Sequence, residues 1–90
     1  LKKFMDVTEY GDEATYHTQQ WVSREKPESV FFRLHEQLTD DGWKSVIPDF
    51  SMGDGGEFYA TLSRNNAVAI LAVSKQAEIR GAMATLSISQ

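Results

Sequence analysis

Apolar residues recur along this chain with two different periods, and the change from one to the other divides it into elements. Val30, Phe31, Leu34 and Leu38 return at spacings of three and four, which builds one stripe on a helix. Pro27 suits the first helical position, where its missing N–H has no partner to lose. Glu28 adds negative charge near the positive end of the helix dipole. Gly42 tolerates the left-handed conformation that ends a helix, so Trp43 falls just past the stop and packs back on Leu38. The stretch 26–43 is therefore read as the only helix. Arg33, Glu36, Gln37 and Asp40 fall off the stripe and meet water. Asp40 and Asp41 oppose the dipole at its C-terminal end, at a cost of roughly a few tenths of a kcal/mol.

The remaining chain reads as strand and turn. Residues 1–9 and 14–23 are strands, joined through Gly11 and Asp12 into a hairpin. Residues 43–47 form a short strand stopped by Pro48. The stretch 49–56, DFSMGDGG, reads as a mobile glycine-rich loop. In 57–64, Phe58, Ala60 and Leu62 alternate with Tyr59, Thr61 and Ser63. Asn65-Asn66 is a compact hairpin turn, because asparagine accepts positive φ. The stretch 67–74 is apolar on both faces, as a central strand is. The connection over 76–81 leads to 82–89, which alternates again.

The fold class that follows is α+β, with one helix packed on an antiparallel sheet. Its main order is β-β-α-β-β-β with a C-terminal three-strand meander, and the short strand 43–47 leads into that meander. Val30, Phe31, Leu34 and Leu38 are expected on Phe58, Leu62, Leu86, Ile88 and one side of strand 67–74. One helix covers one face, so the other apolar set of that strand needs a cover of its own. Either the sheet curls, or the first hairpin folds over that face, or the face is a contact surface for a second copy or a partner.

Ninety residues suit a single domain, 1–90, with one modest core. The chain opens on Leu1, which reads as an excised or processed part of a longer protein. Its net charge of −4 divides without any basic cluster: residues 1–45 hold six basic and nine acidic side chains, and 46–90 hold three and four. That argues against nucleic acid and against anionic lipid as partners. The longest apolar run, 67–73, is far too short to cross a membrane, so no direct insertion by this segment is expected. Absent cysteine removes disulfides and thiolate sites. The start, the acidic balance and the missing cysteine together suggest a bacterial periplasm or cell envelope.

No motif carries chemistry. His35-Glu36 lacks the second histidine of a zinc helix, since position 39 is Thr39. The only other histidine, His17, sits on another element. The glycine loop is followed by Glu57 and a strand, not by the lysine and helix of a phosphate loop. Asp40 and Asp41 are solvated neighbours, not a buried catalytic pair. Arg33 and Arg80 read as solvated or helix-paired. No enzyme, metal or cofactor is expected, and there are no catalytic residues to name. The expectation is a non-enzymatic protein-binding or assembly module that uses a sheet face, with Tyr59, Thr61, Leu71 and Val73 as contact residues and Phe50 and Met52 as loop contacts. The alternative is a small-ligand sensor, with a pocket between helix and sheet lined by Phe50, Met52 and Trp43 and gated by 49–56.

Overall fold

The computed structural model describes residues 2–10, 15–76, 78 and 80–90. The turn expected over 10–13 lies outside the described residues at 11–13, as does much of the 76–81 connection, at 77 and 79. The elements are β1 (Lys2–Tyr10), β2 (Thr15–Ser23), α1 (Pro27–Asp40), β3 (Lys44–Ser45), β4 (Ser51–Met52), β5 (Phe58–Arg64), β6 (Ala67–Gln76) and β7 (Gly81–Ser89). The order is thus β-β-α-β-β-β-β-β, an α+β fold with one helix on an antiparallel sheet. The strands lie side by side as β1-β2-β7-β6-β5-β3, and β4 also pairs with β5.

The helix forms where its pattern indicates. Pro27 opens it and Lys26 before it is extended. Gly42, at φ 96°, closes it. The Gly42 N–H bonds to the Thr39 carbonyl (3.1 Å), and the Trp43 N–H reaches back to the Leu38 carbonyl (3.0 Å). This double closure satisfies carbonyls that the helix end leaves free. It also turns Trp43 into the core, where it is buried.

α1 packs on β5, β6 and β7. Val30, Phe31 and Leu34 enter one cluster with Phe58, Leu62, Ala69, Leu71, Val73, Ala84 and Leu86; Leu38, Ile88 and Trp21 flank it. Alanines on the sheet (60, 67, 69, 82, 84) let the helix approach closely and leave room for Phe31. Gly81 marks another close approach. A Cβ there would stand 1.8 Å from the Ser23 carbonyl oxygen, so only glycine fits beside the strand that leads into the helix.

Two expectations change. Residues 51–52 of the glycine stretch pair with β5 as a strand. The turn that follows is closed by Gly53 N–H on the Glu57 carbonyl (2.8 Å) and Gly55 N–H on the Glu57 carboxylate (3.2 Å). With β3, whose pairing extends through Val46 N–H to the Thr61 carbonyl, this strand covers the outer edge of β5. The first hairpin does not fold over the sheet. β2 pairs with β7 along eight residues, so the hairpin widens the sheet and leaves its second face uncovered among the described residues.

Candidate protein-binding face

Strand register decides which side chains share the uncovered face. The two-residue turn at Asn65-Asn66 pairs Arg64 with Ala67, and hence Thr61 with Ile70 and Tyr59 with Ala72. Asn65 accepts φ 55° to make that turn. Continuing across β7 to β2 gives three parallel rows: Tyr16–Ser89–Val68–Ser63, Thr18–Ser87–Ile70–Thr61 and Gln20–Thr85–Ala72–Tyr59. Val7 of β1 extends the middle row.

Tyr59 and Thr61 are therefore exposed on the open face, as a contact role requires. Leu71 and Val73 are not. Both point to the helix and are fully buried, so their assignment as contact residues is overturned. Strand parity is the physical reason: Tyr59 sits opposite Ala72, so the β6 residues that share its face are the even-numbered ones, Val68 and Ile70 among them. These two, at 41% and 50% exposure, are the contact candidates that were passed over for Leu71 and Val73, and Tyr16, at 50%, joins them on this face. The signal was available in the turn length, which sets the pairing.

Two properties set this face apart. No Asp, Glu, Lys, Arg or His stands on it across the paired rows of β2, β7, β6 and β5, although 24% of the chain is charged. The face is also ridged. Serines on β7 lie between larger residues on either side, leaving a trough of about 360 Å³ over Ser87 and Ser89. Tyr16 and Thr18 bound it on one side and Val68 and Ile70 on the other. A smaller hollow of about 110 Å³ follows beside Tyr59, where Val46, Ile47 and Pro48 meet Thr61. The Ile47–Pro48 peptide is cis, and Ile47 is 92% exposed. The apolar surface thus runs from Tyr16 to Ile47.

The loop contacts separate from this face. Phe50 joins a ring cluster with Phe31, Phe32 and Phe58, at centroid distances of 5.3–6.3 Å. It closes the N-terminal end of the core, half-exposed, on the helix side. Met52 pairs with Phe58 at the edge and is exposed. A groove of about 410 Å³ does lie between helix and sheet, with Trp21, Leu34, Leu38, Leu71 and Leu86 as its apolar walls and Gln19, Gln37 and Asp41 among its lining. Phe50, Met52 and Trp43 do not line it, so 49–56 is not its gate.

Several polar side chains elsewhere are paired. Arg33 binds Glu25, and its hydrogen bond, more than its charge, holds the Glu25 carboxyl below the ordinary carboxylate value. His35 Nε2 shares a hydrogen bond with Ser45 (2.9 Å), and His17 Nδ1 with Thr8 (2.6 Å). The two histidines thus serve different contacts. Among the described residues, no three His, Cys, Asp or Glu side chains gather as a metal site. No described helix is long and apolar enough to cross a membrane.

No protein-family model matches the chain. No curated protein matches it either. Among solved structures it is similar to a conserved protein of unknown function from Enterococcus faecalis, with a TM-score of 0.60 and 10% identity. The match covers 93% of this chain and 60% of that one, so this chain spans less than two thirds of its neighbour's length. At that identity the likeness establishes the fold alone.

Proposed function

We propose that this domain is a non-enzymatic protein-binding or assembly module whose contact surface is the open sheet face. One observation carries this reading: a four-strand face without a single charge, bearing half-exposed Tyr16, Ile70, Val68 and Tyr59, in a chain whose charged residues all lie elsewhere. Depletion of charge with retention of aromatic and aliphatic side chains marks the centre of a protein interface. Tyrosine contributes area at low entropic cost and a hydroxyl for the wet rim. Phe50 and Met52 fall outside the contact surface.

A photo-crosslinking residue at position 70 tests this in the organism that makes the protein. Position 70 is expected to give discrete protein adducts that the same group at the exposed helical position 36 does not. Equal or absent adducts at both positions would remove the reading.

A second reading is favoured by the groove beside α1, whose apolar walls and polar lining suit a small amphipathic ligand. Ligand entry there would change the fluorescence of Trp21, which lines it. A signal unmoved by a diverse compound set counts against this reading.

A further inference from the structure

We infer that the occupant of the open face is a second copy of this chain, stacked sheet on sheet with β6 of each copy in the β7 trough of the other. The inference rests on the reading of that face as a protein-binding surface and adds the identity of the partner.

Shape supplies the first argument. The face presents a ridge, Val68 and Ile70 on β6, beside a trough over Ser87 and Ser89 on β7. A ridge and a matching trough on adjacent strands are self-complementary under a twofold axis that runs along the strands between them. Such an interface is isologous, so both copies use the same residues. The axis sets β6 over the partner's β7 and β5 over its β2. Because it runs along the strands, heights are kept: Ile70 meets the partner's Ser87, Val68 meets the partner's Ser89, and Thr61 meets the partner's Thr18.

Charge supplies the second. The facing rows contain no Asp, Glu, Lys, Arg or His, so two copies of net charge −4 meet without like charges in contact across them. Beyond these four strands the first row ends at Lys44 on β3, and the same axis lays β3 of one copy over β1 of the other.

Area supplies the third. Four strands about 4.8 Å apart, each about 25 Å long, give on the order of 500 Å² of flat sheet per copy. Two copies bury roughly 1,000 Å² before side-chain relief is counted, the lower bound for a specific interface. The expected dimer is therefore one that dissociates on dilution, in the micromolar range.

Sedimentation equilibrium over a wide concentration range is the first measurement. A monomer–dimer equilibrium is expected, strengthened by added salt. Ile70→Glu is expected to weaken it roughly tenfold or more, because each dimer then buries two unpaired carboxylates. Circular dichroism shows whether that variant stays folded, and Glu36→Lys on the outer helix surface leaves the association unchanged. Register is tested separately, since the chain has no cysteine of its own. Mixed Ile70→Cys and Ser87→Cys proteins, treated with a short bifunctional thiol reagent that spans the roughly 10 Å between stacked sheets, are expected to give more crosslinked hetero-dimer than either variant gives with itself. A monomer at every concentration overturns the inference, and so does a dimer indifferent to Ile70→Glu. If the monomer nevertheless gives adducts to a different protein at position 70, the second copy falls and the binding face stands. If it gives none, both fall.

Discussion

Asp41 puts negative charge at the C-terminal end of α1, where the dipole disfavours it. Arg64 offsets this from β5: it donates to the Asp41 carbonyl (3.1 Å) and to its carboxylate (2.9 Å), and its guanidinium lies 4.6 Å over the Trp43 ring. Arg64→Ala is expected to destabilise the fold by about 1 kcal/mol, read by urea denaturation, since both contacts are partly exposed. Gly81 is less tolerant. Gly81→Ala drives a methyl into the Ser23 carbonyl and is expected to cost on the order of 3 kcal/mol in the same assay. Glu25 gives a pH signature. Its folded pKa is lowered by Arg33, so the pair stabilises the fold above the unfolded pKa and ceases to as pH falls through the folded one. The stability difference between the protein and Arg33→Ala should therefore shrink on acidification. A difference independent of pH would show that Arg33 acts through packing.

Among the elements, α1 and β6 carry much of the core: Val30, Phe31 and Leu34 of the helix and Ala69, Leu71 and Val73 of the strand are all buried. Phe31 is fully buried and touches the rings of Phe32, Phe50 and Phe58. Phe31→Ala is expected to cost about 3–5 kcal/mol, and half-exposed Phe50→Ala clearly less, by thermal or urea unfolding. The two faces of β5–β6 give the sharper contrast. Leu71→Glu places a charge in the core and is expected to unfold the domain, whereas Tyr59→Glu on the open face keeps its circular dichroism spectrum. Equal behaviour of the two would mean that the strand register differs from the one described.

In the whole molecule, β6 and β7 are paired along both edges, while β1 has one partner and a register shift between Lys3 and Met5. Amide exchange is expected to be slowest in β6 and β7 and fastest in β1, because opening the edge exposes the least buried surface. If the open face closes on a second copy, concentration should slow exchange further at β6 and β7 amides without changing α1. The domain then becomes the half of a sandwich: helix outside, sheet inside, with the second core shared between copies.

Local pattern was enough to place the helix, its Gly42 stop, the Asn65-Asn66 turn and the double-sided strand 67–74, because each depends on residues within a few positions of one another. The same locality explains Tyr59 and Thr61, whose alternation with Phe58 and Leu62 put them opposite the core. Three things needed the tertiary structure. Residues 51–52 became a strand only because β5 offered them an edge. The first hairpin lay beside β7 instead of over the sheet because β2 has backbone groups to pair and β7 had an edge free to receive them. Leu71 and Val73 proved buried and Val68 and Ile70 exposed, a distinction that strand 67–74 does not carry by itself and that only its pairing with β5 across the Asn65-Asn66 turn makes visible. Composition says how much of such a strand must be covered; only register across its neighbours says which side meets the helix.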